Sequence, residues 1–547
     1  MRINAENGIV KILQKEGIAW VSTFPEGIIN NACGEEGIQN IMTRTERYAV
    51  ALADGFSRVS NGKKFGVCSI MSGLNAAGIQ MAYGALAQAW EDSTPLLCIT
   101  TGIPSEIKGQ EHYDLFQAFR NISKWIGYIN TPNRVPEYMT KAISYLKSGK
   151  LGPVLIQLPP NLGQYDDDEH IYYPIKRRKF QGDPSDVKVA SRALLSAKNP
   201  IIYAGQGIFY ADACDELLRF ASLLNAPVLT TLKGKSAFPE DHPLSLGVRG
   251  IPVEKFLKKS DLILAIGWSQ VPNPFGNTIP SGKPIIQVTI DDMDINWKYN
   301  VNHAIIGDAK LVLNQLIKEV EDQGVANRRA QKKLIEEIQV AKEEQISKYK
   351  SYLTSNEKPI NPYRVFYELS NLINKNNSIV TPESGGTRDQ LSTIYEATIP
   401  HGFIGWGNVS TLGFSLGAAA GAKLAFPNRQ VINVTGDAGV GYMHGDFETL
   451  LRNNIGVTTI HINNNGFSGY GPGFWGAGHH PYTADVTSSS IQNMARSVEA
   501  IGLYAERVEE PDEVAPAIKR ALKQNLSGKP SYIEIICSQF PIWDNWV

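Results

Sequence analysis

The sequence predicts an α/β protein of three doubly wound, open parallel sheets, and three observations predict it. Apolar runs alternate with helical stretches along the whole chain, and several are apolar on both faces, as strands buried between two helical layers must be. Two polar, charge-dense breaks, 165–186 and about 327–355, cut the chain into lengths typical of single domains. Near the end, a Gly-Asp turn and an Asn-rich turn each close a strand run, the position at which parallel sheets bind ligands.

The first domain, 1–165, opens on MRINAENGIVKILQKEGIAW, an amphipathic helix, and carries the strand runs FGVCSIM, PLLCITT and PVLIQLP. YDDDEHIYYPIKRRKFQGDPSD then separates it from a central domain, 186–330, with the runs PIIYAG, LILAIG and PIIQVTI. A charged helix containing RRAQKKLIEEIQVAKEEQISKYK leads through NEKPINP into the third domain, 355–547, with QVINVTG, TTIHINN and YIEIIC.

Composition narrows the function classes. The 547 residues are 43 % hydrophobic and 20 % charged, with 53 basic against 54 acidic side chains and a net charge of −1. That balance gives no electrostatic reason to expect nucleic acid or an anionic membrane as partner. No signal-peptide pattern and no apolar run of roughly 18 residues is present, so the expectation is a cytoplasmic protein without a membrane span. The five cysteines (33, 68, 98, 214, 537) are scattered with no CxxC pair, which reads as reduced core residues rather than a zinc site or disulfide framework.

Residues 436–466, GDAGVGYMHGDFETLLRNNIGVTTIHINNNG, carry the chemistry. A strand runs into Gly436-Asp437, a helix beginning near Gly439 follows, and the next strand ends at Asn464, 27 positions after Asp437. One strand–helix–strand unit puts both side chains at the carboxyl ends of neighbouring strands. Magnesium takes hard oxygen donors, usually one or two from protein together with phosphate and water. Asp437, the Asn464 amide and the Gly466 carbonyl meet that need, and a diphosphate would lie over Gly436, Ala438 and Gly439 at the helix start.

This segment resembles the diphosphate-binding signature of thiamine-diphosphate enzymes. The whole chain is similar to the acetolactate synthase and pyruvate-decarboxylase-like superfamily, through TRTERYAVALADGFSR (43–58), SGLNAAGIQMAYGALAQAWEDSTPLLCITTGIP (72–104), TTLKGKSAFPEDHPLSLG (230–247) and TLGFSLGAAAGAKLAFPN (411–428). The resemblance implies pyrimidine-binding, central and diphosphate-binding domains in that order. It makes Glu46, eight positions before Asp54 of an Ala-Asp-Gly turn, the acid that hydrogen-bonds the coenzyme's aminopyrimidine and so favours the tautomer that takes the thiazolium proton. It makes Leu412 the apolar wedge under a folded coenzyme, with backbone groups of Ser410 and Leu412 on the pyrimidine, and brings Ser384, Gly385 and Gly386 to the diphosphate, where small residues allow close backbone approach.

The chain departs from better-known relatives in three places. Pro25, Glu26 and Gly27 stand where a different loop faces the reacting centre, Ser72-Gly73-Leu74-Asn75 replaces SGPG, and GDA replaces GDG at Ala438. Gln110 and His112 align with a loop that holds an active-site glutamine, His112 being a candidate proton shuttle. Phe467, Tyr470, Phe474 and Trp475, in a glycine-rich run, are candidates to roof the substrate, whereas His479 and His480 have nothing nearby to complete a metal ligand set. In the central domain only AGQG suggests a nucleotide loop, so the expectation is no FAD.

The implied activity is decarboxylation of a 2-oxo acid and transfer to a second carbonyl compound, with thiamine diphosphate and Mg2+, in a homodimer or dimer of dimers whose sites form between subunits. A decarboxylase or benzaldehyde-lyase-like enzyme shares this apparatus. A non-catalytic regulatory homologue would not need Glu46, Asp437 and Asn464 together.

Overall fold

The computed structural model describes residues 2–73, 76–104, 113–273, 275–324, 331–465 and 492–543. Every strand run read from the sequence contains a strand, and each lies in an all-parallel sheet flanked by helices. The chain divides into two compact units.

The first unit comprises Met1–Arg178, Asn408–Pro427 and Met443–Ile455. Its six-stranded parallel sheet runs in the order Gln39–Met42, Trp20–Thr23, Gly66–Ile70, Leu96–Thr101, Val154–Leu158, Trp125–Tyr128. Side chains alternate faces along a strand. Leu97 and Ile99 therefore enter one core with Ile9, Leu13 and Val135, while Leu96 and Cys98 enter another with Val50, Ala53 and Leu86. The segment 165–186, read as a domain break, is tied down at its start. Gln164–Asp166 pairs antiparallel with Arg2–Asn4, Tyr165 and Tyr172 are buried, and the Glu16 carboxylate accepts from the Tyr172 hydroxyl at 2.6 Å.

The helices Glu46–Arg58 and Phe414–Ala425 of this unit cross at backbone contact. A Cβ at Gly55 would stand 2.4 Å from the Ala418 Cα, and one at Gly421 would stand 2.2 Å from the Leu52 carbonyl oxygen. The small-residue composition of ALADG and LGAAAGA is what lets them approach.

The second unit, Lys179–Gly407, Asn428–Tyr442 and Gly456–Val547, holds two parallel sheets. One runs Ser245–Gly247, Val228–Thr230, Pro200–Ala204, Leu262–Ile266, Ile285–Thr289, His303–Ile306; the other runs Ser378–Pro382, Gln430–Gly436, Val457–Asn463, Ser531–Ile536, Tyr504–Val508. The charged helix Gln331–Ser347 forms as read, and buries Leu334, Ile338, Ala341 and Gln345, one stripe at helical spacing. All five cysteines are free thiols, four of them buried.

Candidate functional site

In the first unit the candidate residues gather at the carboxyl edge of the sheet. Thr45 caps the helix Glu46–Arg58 by accepting from the Tyr48 N–H at 3.2 Å, so Glu46 is its first helical residue. Glu46 is 8 % exposed. Its Oε1 would lie 3.0 Å from a Cβ at Gly78, so the absence of a side chain there lets the next helix start against the carboxyl group. The approach to Glu46 is braced by Asp446, whose carboxylate accepts from the Arg44 N–H at 2.8 Å and from the Thr45 hydroxyl at 3.2 Å. Burial pushes the Asp446 carboxyl up to about 6, against the lowering effect of those donors.

Ala53-Asp54-Gly55, read from the sequence as a turn, lies inside the helix Glu46–Arg58, and its Asp54 has a structural task. It is fully buried, as is Asp92, and Arg58 reaches both: Nε lies 2.5 Å from Asp54 Oδ1 and Nη2 2.9 Å from Asp92 Oδ2. Asp92 accepts in turn from the Asn408 N–H at 3.4 Å, and Gln88 from the Thr411 N–H at 3.2 Å. Arg47 Nη1 donates to the Leu412 carbonyl at 3.1 Å. The helix bearing Glu46 and the loop bearing Ser410 and Leu412 are thus fastened together, and Ser410 takes a left-handed φ of 62° within that loop. Leu412 is half-buried. Pro25 and Glu26 are exposed, Glu26 at φ 67°, while Gly27 is buried where a Cβ would meet Asn30, Ser69 and Thr23 oxygens at 2.5–2.7 Å.

In the second unit the strand Ser378–Pro382 leads through Ser384 and Gly385 (φ 92°) into a short helix that starts at Gly386, and the paired strand Gln430–Gly436 passes directly into the next helix. The helix opens at Asp437, two residues earlier than the sequence reading puts it. A Cβ at Gly439 would fall 2.4 Å from Thr435 Oγ1 and 2.5 Å from Glu383 Cγ, so this turn is packed to the limit of glycine against a fully buried glutamate. At Gly436 a Cβ would meet nothing nearer than 4.0 Å, leaving its side of the turn open.

Asp437 and Asn464 come together here. The Asn464 N–H donates to Asp437 Oδ2 at 3.2 Å, and Asp437 Oδ1 lies 3.2 Å from His461 Nε2. The Asn464 side-chain amide donates through Nδ2 to Gln539 Oε1 at 3.3 Å, which turns its oxygen, the atom a hard cation needs, to the other side. No cluster of three His, Cys, Asp or Glu side chains that could hold a metal exists among the described residues. A cation here would therefore use a carboxylate, an amide oxygen and a ligand's own oxygens, and the open glycine turn beside Asp437 fits a diphosphate. Gln110, His112, Gly466, Phe467, Tyr470, Phe474 and Trp475 lie outside the described residues, as do His479 and His480.

Sequence reasoning missed Arg58, Asp92, Gln88, Asp446, His461, Tyr532 and Gln539. Only His461 left a signal, an imidazole inside an otherwise apolar and β-branched strand run, Val457–Asn463. In the central sheet the AGQG glycines are spent on packing. The Gly205 and Gly207 N–H groups donate to the Ile266 and Gly267 carbonyls at 2.8 Å, and a Cβ at Gly205 would sit 2.3 Å from the Gly267 oxygen. No helix among the described residues is long and apolar enough to cross a membrane.

Comparison with known proteins gives three matches to domains of one kind. The N-terminal thiamine-pyrophosphate-binding domain of thiamine pyrophosphate enzymes matches residues 3–120, their central domain matches 187–316, and their C-terminal binding domain matches 384–535. A probable acetolactate synthase large subunit of Methanocaldococcus jannaschii is 29 % identical, over 96 % of this chain and 91 % of that one. The acetolactate synthase isozyme 3 large subunit of Escherichia coli is 25 % identical over 96 % and 93 %. A glyoxylate carboligase of Escherichia coli O157:H7 is 27 % identical over 95 % and 90 %.

Proposed function

Since the chain belongs to the thiamine pyrophosphate enzymes, with all three of their domains in order, we propose that it is a magnesium-dependent carboligase of 2-oxo acids. The donor compound would be one such as pyruvate and the acceptor a second carbonyl compound, as the names of its acetolactate synthase and glyoxylate carboligase relatives suggest. The observation that carries the reading is the pairing of Asp437 with Asn464 at adjacent strand ends beside a glycine turn open on one side.

Thiamine diphosphate, when bound, supplies the electron sink for breaking and making a carbon–carbon bond beside a carbonyl. The chain's own residues bind and orient. Asp437, the Asn464 amide oxygen and the Gly466 carbonyl hold Mg2+, and backbone groups of Ser384–Gly386 and Gly436–Gly439 take the diphosphate. Glu46, buried at its helix start, holds a proton at the aminopyrimidine ring nitrogen, and Leu412 supports the ring system from below. His112 serves as proton shuttle and Gln110 as the active-site glutamine of its loop, while Pro25, Glu26, Gly27, Phe467, Tyr470 and Trp475 border the substrate. The domain divisions 1–165, 186–330 and 355–547 belong to this reading, as do a homo-oligomer with sites between subunits and a cytoplasmic location. A central domain without FAD is supported by the AGQG amides, which are already bonded to Ile266 and Gly267.

Purified protein supplied with pyruvate, thiamine diphosphate and Mg2+ is expected to release carbon dioxide and form acetolactate. Acetaldehyde as the sole product would replace the carboligase reading with a decarboxylase. Glu46→Gln should cut turnover by about 10²–10⁴-fold, the usual range for a lost acid–base group. Full turnover in that variant would move the proton chemistry elsewhere.

A further inference from the structure

We propose that His461 and Tyr532 form a relay that positions Asp437 for its metal ion, an inference that rests on the magnesium site just described. His461 is on the strand Val457–Asn463, in parallel register with Thr435, two residues before Asp437. It is fully buried, and its neighbours Thr459, Ile460 and Ile462 are what a central strand ordinarily carries. An imidazole in that place has two ring nitrogens to satisfy.

Both are satisfied, on opposite sides. Nε2 lies 3.2 Å from Asp437 Oδ1, and Nδ1 lies 2.7 Å from the hydroxyl of Tyr532, which is fully buried on the adjacent strand Ser531–Ile536. The direction of the hydrogens follows from the chemistry of the ends. A carboxylate only accepts, so Nε2 must carry the hydrogen that points at Asp437. With a single ring proton at Nε2, Nδ1 keeps its lone pair and accepts from the Tyr532 hydroxyl. Burial, with the charges of Glu534 and Asp437 nearby, pushes the Tyr532 phenol well above its usual range, so it keeps the proton it donates.

The consequence is a carboxylate gripped at both oxygens: Oδ1 by His461, Oδ2 by the Asn464 N–H at 3.2 Å. Both grips come from the strand next to the one that delivers Asp437, or from its end. A ligand held this way does not have to be ordered by the metal. Loss of such an outer partner typically weakens metal binding by about 10–100-fold. His461 and Tyr532 are therefore positioning residues that act through Asp437.

The test is a Mg2+ titration at fixed thiamine diphosphate, following coenzyme uptake by calorimetry and tryptophan fluorescence, for the wild type, His461→Leu, His461→Gln and Tyr532→Phe. The half-saturating Mg2+ concentration should rise by roughly 10–100-fold in His461→Leu. Tyr532→Phe keeps the ring and loses only the donor, and should shift it by about three- to tenfold. His461→Gln, whose amide can still donate to Asp437, should recover most of the loss, so that the shift follows the lost donor rather than the lost ring. Should His461→Leu fail to fold, Tyr532→Phe decides alone. Wild-type uptake with unshifted half-saturation in Tyr532→Phe and, where it folds, His461→Leu overturns the relay and leaves the magnesium site standing. Lowered thermal midpoints with no shift in half-saturation also overturn it, since a merely structural role predicts that pattern. No Mg2+-dependent uptake in the wild type removes the functional reading and the relay together.

Discussion

Replacing Arg58 with methionine is expected to destabilise the first unit by about 3–5 kcal/mol, the cost of breaking a buried ion pair from one side. The site makes the upper half of that range the expectation. Arg58 is 4 % exposed and faces two carboxylates, Asp54 and Asp92, both at 0 %. Its Nε stands 2.5 Å from Asp54 Oδ1, and Nη2 stands 3.2 Å from Asp54 Oδ2 and 2.9 Å from Asp92 Oδ2. Methionine keeps the packing of the stem and removes the only charge the Arg58 position offers to either acid. Against total stabilities of about 5–15 kcal/mol this is a large fraction, and it also loosens the Asn408–Leu412 loop that hangs on Asp92 and Gln88. Burial already raises Asp54, with Arg58 the main opposing influence, so the unpaired acid in the variant takes up a proton and the deficit should be smaller at pH 5 than at pH 8. Arg58→Lys should lie between, because one ammonium cannot fork to two carboxylates. Urea unfolding of the three proteins by far-UV circular dichroism measures this. A loss under about 1 kcal/mol in Arg58→Met, or one independent of pH, would refute the account.

Three further outcomes are expected. Gly439→Ala forces a Cβ to within 2.5 Å of the buried Glu383 Cγ, so it should cost about 1–3 kcal/mol and weaken coenzyme uptake; calorimetry showing unchanged affinity would remove that turn from the diphosphate site. Asp446 is raised in the folded chain to about 6, so its contribution is complete below the unfolded value of roughly 4 and is lost as pH climbs through about 6, a change of about 3 kcal/mol. Asp446→Asn should therefore flatten the stability profile between those limits, and an unaltered slope would count against the assignment. Chelating Mg2+ from coenzyme-loaded protein should lower the thermal midpoint by the linkage of bound ligand, about 2.7 kcal/mol when ligand stands at 100 times its Kd; a midpoint indifferent to the chelator argues against metal-tethered coenzyme.

The candidate site was legible where one local segment carries its own context. Asp437 and Asn464 stand at the ends of two strands joined by one helical crossover, so their common edge follows from spacing, and the 3.2 Å hydrogen bond from the Asn464 backbone N–H to Asp437 Oδ2 is its expression in space. Glu46 was singled out by resemblance, eight positions before Asp54, yet the work of that aspartate, which stands within the same helix, was not read. Asp54 meets Arg58 one helical turn away, but Asp92 and the Asn408 amide reach the same cluster from remote segments. His461 and Tyr532 likewise lie on strands whose adjacency depends on the sheet order. Arginine, aspartate and histidine read as surface residues when taken singly, and only packing makes them interior.

The sequence by itself determined the α/β class and the central strands. Gly66–Ile70 and Leu262–Ile266 are buried along their whole length and carry only apolar or small residues, so each strand announces itself locally; Val457–Asn463, equally buried, does so in spite of His461, whose two ring nitrogens both find partners. Tertiary structure decided the sheet margins. Gln39–Met42, Trp125–Tyr128, His303–Ile306 and Tyr504–Val508, none of them singled out in the sequence, have one fully buried residue each and owe their existence to the strand beside them. Ser378–Pro382 is an edge that stays buried because 402–404 covers it through hydrogen bonds at both sides of Val380. A strand closed on both faces must satisfy its surroundings with its own side chains; one at a margin takes its hydrogen bonds and half its cover from residues far along the chain.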